Sequence, residues 1–237
     1  MNAERDPATG TRNPGKTRLP SIAAVIPVGP GDRSWRELLP IFERLAPGIE
    51  RRLVFAQGDL QSRPKDPAIR WIECPRGRAR QQNAGAAGLG AEWLWFLHAD
   101  SRPDARAFAG LAHFLASGTD ALGYFDLRFA DDGPALMRLT EWGARLRCRW
   151  FGLPFGDQGL VLRRARFAKL GGFDESRSFG EDHALVWAAR RAGLPLVRIP
   201  VALTTSARKY RDGGWLATTW RHQRLTWQQA WAESRTK

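Results

Sequence analysis

Apolar and polar positions along the chain fall into runs of two distinct kinds. Ile22 to Val28 (IAAVIPV) is continuously apolar and bounded by turn residues, which predicts that order begins at Ser21 with a strand buried on both faces. Pro30, Gly31 and Asp32 then predict a loop. Ser34 is placed to cap a helix whose apolar positions, Trp35, Leu38, Leu39, Phe42 and Leu45, follow a helical period. Arg52–Ala56 and Ile69–Ile72 predict two short strands, the Ala-rich run Arg78–Leu89 a helix, and Trp93–Leu97 (WLWFL) a further buried strand ending at His98-Ala99-Asp100. Strands alternating with helices predict an α/β fold: a mostly parallel twisted sheet flanked by helices on both faces, Rossmann-like. The second half reads differently, with a half-buried strand at Tyr124–Phe129, a short one at Leu160–Leu162, a helix over Glu181–Ala192 and a strand at Leu196–Ile199. It predicts an elaborated C-terminal half on the same domain.

Composition adds boundaries and excludes classes. Residues 1–20, with acids, prolines and glycines but no apolar run, read as a disordered arm and not as a signal peptide. Residues 21–213 read as one globular domain and 214–237 as a C-terminal helical segment. Two cysteines, Cys74 and Cys148, exclude a disulfide framework and a Cys-rich zinc module, and suit a reducing cytoplasm. The most apolar stretch, Ala84 to Leu97, is broken by Glu92 and falls short of the ~18–20 residues of a membrane span. Lys and Arg number 37 against 24 Asp and Glu, a net charge of +13. That balance implies affinity for anions without choosing one, because the arginines are scattered from Arg5 to Arg235 and form no block.

Candidate chemistry gathers at strand ends and acidic turns. His98 and Asp100 follow a strand at its carboxyl end, where open α/β sheets bind ligands, and side chains two apart on an extended segment share a direction. A carboxylate beside an imidazole suits Mn²⁺ or Mg²⁺ bridging phosphate oxygens; the alternative is that Asp100 or Ser101 caps a helix beginning near Asp104. Gly77-Arg78-Ala79-Arg80 offers backbone N–H groups and two guanidinium groups to an anion, or is an ordinary exposed helix start. The absence of G-x-G-x-x-G after the first strand, and of a Walker A run, excludes dinucleotide and P-loop readings. Gly156-Asp157-Gln158-Gly159 and Gly180-Glu181-Asp182 are acidic turns in apolar surroundings. Asp182 or Glu181 is a candidate general base presented from a helix start, or else a cap. Thr204 to Arg211 combines hydroxyls with Arg208 and Lys209 ahead of Gly213-Gly214, which reads either as a flap over a phosphate or as a solvated basic loop.

Taken in order, these pieces resemble the family 2 glycosyltransferases of the GT-A fold, in particular the small bacterial branch of radical-SAM/selenodomain-associated transferases. The matching residues are Val25-Ile26-Pro27-Val28, Gly77 to Gly85 (GRARQQNAG), Phe96 to Asp100, Gly156-Asp157-Gln158-Gly159, Leu170-Gly171-Gly172-Phe173, Gly180-Glu181-Asp182 and Thr205-Ser206-Ala207-Arg208. The resemblance implies an inverting, metal-dependent transfer of a sugar from a nucleotide-diphosphate donor to an acceptor hydroxyl. It implies Asp182 as base with Glu181 beside it, and Asp100, with His98 in the first acidic position of the D-x-D motif, on a Mn²⁺ or Mg²⁺ held by the diphosphate. It further implies Pro27, Arg78, Asn83, Arg208 and Lys209 on the donor side, and Asp157 and Gln158 on the acceptor side. Relatives carry an acidic residue after the second strand where this chain reads Val54-Phe55-Ala56-Gln57-Gly58-Asp59, so Gln57 or Asp59 is the candidate there for holding the nucleoside.

Two other classes stand beside this one. A degenerate GT-A module that binds a sugar phosphate or a partner without turnover is motivated by the departure after the second strand, and is opposed by the retention of Asp100 with Asp182. A nucleic-acid-binding protein is motivated by the charge alone and lacks a recognisable motif, so no specific nucleic acid is expected. Trp220, Trp227 and Trp231, with Arg221 and Arg224 nearby, fall on one helical face; that stripe suits either packing or peripheral contact with an anionic inner-membrane face.

Overall fold

The computed structural model describes residues 20–59, 66–177, 179–217, 219–220, 224, 228 and 231. The expected arm at 1–20, apart from residue 20, lies outside them, as do Arg221 and Trp227 of the C-terminal stripe. The elements run β1 (Ile22–Val28), α1 (Trp35–Leu45), β2 (Glu50–Ala56), β3 (Ile69–Cys74), α2 (Arg78–Ala86), β4 (Trp93–Phe96), β5 (Ser101–Arg102), α3 (Ala105–Ala116), β6 (Leu122–Phe129), α4 (Met137–Phe151), β7 (Val161–Arg163), α5 (Arg164–Lys169), α6 (Glu181–Arg191), β8 (Leu196–Thr205) and α7 (Arg208–Gly213). A single 3₁₀ turn over Gly156–Gln158 precedes β7.

All eight strands join one sheet in the order β3-β2-β1-β4-β7-β6-β8-β5. It is parallel from β3 to β4, as the alternation of strands and helices predicts. Beyond β4 it is mixed: β7 runs antiparallel to both β4 and β6, and β8 returns parallel to β6. The central strands are apolar on both sides because both sides are covered. Ile26, Val28, Trp93 and Trp95 pack with Trp35, Leu38, Phe42 of α1 and Leu111, Phe114 of α3. Val25, Leu94 and Phe96, one residue out of phase, pack with Ala79 and Ala86 of α2 and Leu185, Val186, Ala189 of α6. A third, smaller cluster of Leu127, Phe129, Met137, Ala144, Ala207 and Tyr210 holds α4 and α7 over the end of β6. Among the described residues no helix is long and apolar enough to cross a membrane.

Several local expectations are corrected. Ser34 makes no side-chain cap; Asp32 accepts its N–H at 2.9 Å and its hydroxyl at 2.5 Å instead. The residue capping α3 is Asp104, whose Oδ1 accepts the Ala107 N–H at 2.8 Å, so neither Asp100 nor Ser101 is spent there. The run Thr204 to Arg211 is not a loop: β8 extends to Thr205 and α7 begins at Arg208. Asp132 fixes the corner by accepting the Ser206 hydroxyl and the Ala207 N–H, both at 2.7 Å. Helix α2 ends at Ala86, short of Leu89, and is capped at its start by Gly77, whose φ of 147° is a region that favours glycine. Helix α4 has no counterpart in the sequence expectations.

Gln81 ties the carboxyl ends of the first two strands. Its buried amide donates to the carbonyls of Val28 at 2.8 Å and Val54 at 2.6 Å. Replacing it by Leu leaves two carbonyls without that donor, and Gln81→Leu is expected to lower stability by about 2–4 kcal/mol in urea unfolding. A change below about 0.5 kcal/mol would show that the tie is dispensable.

Candidate active site

The chain leaves the core strand β4 at Leu97 and brings His98 and Asp100 out at its carboxyl end. The next two residues form β5, paired antiparallel with the last residues of β8, Ser101 opposite Thr205. That pairing sets the Thr205 hydroxyl 3.1 Å from Asp100 Oδ1, so one carboxylate oxygen is held by protein. From the other side α6 presents Glu181 and Asp182 in its first turn, after Gly180 turns the chain with φ 77°.

The two sides meet at Gly156. Its N–H donates to Asp182 Oδ2 at 2.5 Å, while Asp182 Oδ1 accepts the N–H of His183 at 2.9 Å. A methyl on Gly156 would stand 2.9 Å from Asp182 Oδ2, 3.2 Å from His98 Nε2 and 3.3 Å from Arg78 Nη2. Three polar side chains, one from just beyond β4 and the others from α2 and α6, therefore converge on one glycine. Arg78 pairs with buried Glu181, Nε to Oε1 at 3.0 Å. Burial raises the Glu181 carboxyl above its ordinary value, against the opposing pull of Arg78. The same burial, helped by the charges of Arg78 and Lys209, holds His98 well below the usual imidazole range, so its ring is neutral at pH 7. His98 Nε2 is a buried atom without a hydrogen-bond partner.

Asp157 lies next in the turn. Burial and the neighbouring Asp182 push its carboxyl up to about 6, although Arg147, Arg78 and Lys209 pull the other way. Its Oδ1 has no hydrogen-bond partner. Arg147, from α4, stacks over Phe155 with its guanidinium carbon 3.3 Å from the ring centroid, and donates to the carbonyl of Leu153 at 2.8 Å. Tyr210 of α7 packs on Phe129, and burial with the nearby Asp157 carries its phenol up to about 12.

These groups line one cleft of about 510 Å³. Of the sequence-derived candidates it gathers Arg78, His98, Asp100, Asp157, Glu181, Asp182 and Lys209. Gln158 is not in its lining: the amide faces inward, donating to Phe125 O at 2.9 Å and accepting from Phe155 N at 3.0 Å and Arg147 Nη2 at 3.2 Å. It takes the carbonyl at the point where the β6–β8 register shifts. Asn83 is likewise committed, donating to Phe173 O and Glu175 Oε1 and accepting from Phe173 N. Pro27 is buried within β1, exposed Gln57 follows β2, and Asp59 accepts the Gly31 N–H at 3.4 Å; none of the three is in the lining of the cleft. Arg208 bridges outward, its guanidinium donating to the hydroxyls of Ser34 and Ser206. The sequence reading missed Arg147, Phe155, Thr140 and Trp142, which with Tyr210 of the expected flap complete the walls. Their only sequence signal is a cation and aromatics near acidic turns, which many surface segments share. Among the described residues no group of three or more His, Cys, Asp or Glu side chains is assembled to hold a metal by protein ligands alone.

The chain is similar in fold to the crystal structure of S. aureus TarS 1-349 in complex with UDP-GlcNAc, with a TM-score of 0.60 and 12% identity. The likeness covers 78% of this chain and 58% of that one, so this chain spans little more than half the length of that structure. It shows a shared fold, GT-A-like and elaborated in its C-terminal half. No protein-family model matches the chain, and no curated protein matches it in sequence.

Because Asp157 binds its proton more tightly folded than unfolded, the native state loses stability as pH rises from about 4 to about 6. Asp157→Asn removes that loss. The variant is expected to be more stable than wild type at pH 7, by up to about 3 kcal/mol, with the difference closing below pH 4. Thermal unfolding at the two pH values reads it, and an equal effect at both would refute a buried titrating carboxyl.

Proposed function

We propose that this chain is a metal-dependent, inverting glycosyltransferase that uses a nucleotide-diphosphate sugar. The observation that carries the reading is the convergence on Gly156 of Asp182, His98 and Arg78, in the cleft that also holds Asp100, Asp157 and Lys209. The cleft lies at the carboxyl ends of the parallel strands, where this class of sheet binds its ligands. The shared fold with a protein solved around a nucleotide sugar supports the donor class. The placement in the radical-SAM/selenodomain-associated branch rests on the ordered motifs alone.

In this reading Asp182 accepts the proton of the acceptor hydroxyl as that oxygen attacks the anomeric carbon and the bond from that carbon to the diphosphate oxygen breaks. Each of its carboxylate oxygens already takes one backbone N–H, which fixes its direction and leaves further lone pairs for the acceptor. Asp157 stands beside it as an acceptor-side group that exchanges its proton near neutral pH. Glu181 acts through Arg78, whose guanidinium it orients. Lys209 and Arg78 offset negative charge on the departing diphosphate. Arg208 locks the start of α7 against the β1–α1 turn, which Asp59 also touches through the Gly31 N–H, and this reading gives Gln57 and Asp59 to the nucleoside.

The donor set fits a hard divalent cation. Asp100 has one oxygen uncommitted to protein, and His98 offers an unpartnered neutral nitrogen. Asp100 and His98 would hold such an ion only together with groups that a ligand brings. Bound there, Mn²⁺ or Mg²⁺ would supply Lewis-acid stabilisation of the leaving group.

Isothermal titration with UDP, GDP, ADP and CDP, with and without Mn²⁺, tests the donor side. One nucleotide is expected to bind only with Mn²⁺, and Asp100→Ala to abolish that binding. Asp182→Asn is expected to keep donor binding and to slow turnover of the matching nucleotide sugar about 10²- to 10⁴-fold. Metal-dependent binding with no turnover in wild type would favour the non-catalytic module, and no binding by any nucleotide would overturn the proposal.

A further inference from the structure

Helix α4 carries two apolar stripes. Met137, Ala144 and Cys148 face the protein and are buried. On the opposite side Leu139 is 56% exposed, Trp142 61% and Trp150 67%, with Leu146 between them half-buried. A soluble helix shows one apolar stripe; a second needs something to cover it. The pattern continues around the mouth of the cleft. Leu139, Trp142, Phe179 and Trp215 all line it, and Trp215 Nε1 is tied to α4 through Thr140 Oγ1 at 3.0 Å. Leu216 and Trp220 stand exposed beside Trp215.

The charges on the outer face of α4 have one sign. Arg138, Arg145 and Arg149 are exposed, and the helix's single acid, Glu141, is turned inward to accept the Phe129 N–H at 2.8 Å. We propose that this face docks on an anionic lipid surface, with Trp142, Trp150, Leu139 and Phe179 entering the interface and the three arginines meeting lipid phosphates. Tryptophan suits the headgroup level, and arginine beside it adds attraction to negative lipid. A second copy of this chain is a poorer occupant, because a two-fold contact sets the same arginines against themselves. Docked in this way, the cleft opens toward the bilayer. Given the transfer reaction proposed above, the acceptor hydroxyl then belongs to a membrane-borne amphiphile whose apolar part lies against the rim.

Co-sedimentation of the full chain with phosphatidylcholine vesicles, and with vesicles containing one-third phosphatidylglycerol, tests the docking without any nucleotide, so its failure is separate from failure of the transfer reading. Wild type is expected to bind the anionic vesicles only, and more weakly as salt is raised. Since any basic protein meets that condition, the deciding variant is Trp142→Ser with Trp150→Ser, which leaves the charge unchanged. It is expected to weaken binding at least about tenfold at an unchanged melting temperature. Arg145→Glu with Arg149→Glu is expected to lose it as well. Binding unaltered by the tryptophan pair, no binding to anionic vesicles, or a dimer in wild type that the tryptophan pair dissolves would each overturn the proposal.

Discussion

The site depends on the absence of a side chain at position 156. Asp182, His98 and Arg78 reach that glycine from three different elements and occupy the space where even a methyl would sit. The contact with Asp182 is also a hydrogen bond to the glycine's own N–H, so the turn carrying Asp157 and the helix carrying Asp182 are registered to each other through backbone. Two carboxylates are thereby set side by side at the end of a sheet, an arrangement whose mutual repulsion and burial the fold must offset. Arg78, Arg147 and Lys209 supply the offsetting charge, and the raised Asp157 carboxyl shows that the compensation is incomplete. Residual strain of this electrostatic kind is common where groups are poised to exchange protons.

Around this point the molecule divides its labour. The sheet and its two apolar layers hold β1, β2 and β4 at a fixed spacing, and Gln81 fixes where β1 and β2 end. Gln158 and Asn83 perform the same service for the later segments, tying the Gly156 turn to β6 and the 173–175 segment to α2. The third cluster is smaller and holds only α4 and α7, the two elements that form the upper wall. Binding surfaces that must admit a ligand draw on such weakly buttressed elements. The carboxylates and His98 thus sit on the rigid floor, and the outer wall adds apolar contact together with the charges of Arg147 and Lys209.

The central strands were legible because they are buried on both faces, which writes a continuous apolar run that no surface element imitates. The acidic turns were legible as candidates because glycine and carboxylate cluster there without an apolar period, and Asp100 because it follows a buried strand at its carboxyl end. Helix α4 was not, since its two opposed apolar stripes and interspersed arginines erase the single stripe that marks a helix. Arg147 was invisible for a related reason: nothing in the sequence separates it from Arg145 and Arg149, and only the fold turns it inward. The side chains of Gln158 and Asn83 point where partners distant in sequence call them, which spacing along the chain does not encode. Capping was misassigned at Ser34 because its hydroxyl is engaged elsewhere, donating to Asp32 two residues earlier and accepting from Arg208, so it takes no helix N–H.

The most direct test of the account is a crystal structure grown with Mn²⁺ and the nucleoside diphosphate that binds, with data collected at the manganese absorption edge. The account predicts an anomalous peak against Asp100, the diphosphate between that peak and Lys209, and Asp182 with Asp157 facing it from across Gly156. A nucleotide outside this cleft, or manganese held by Asp157 and Asp182 instead, would contradict it.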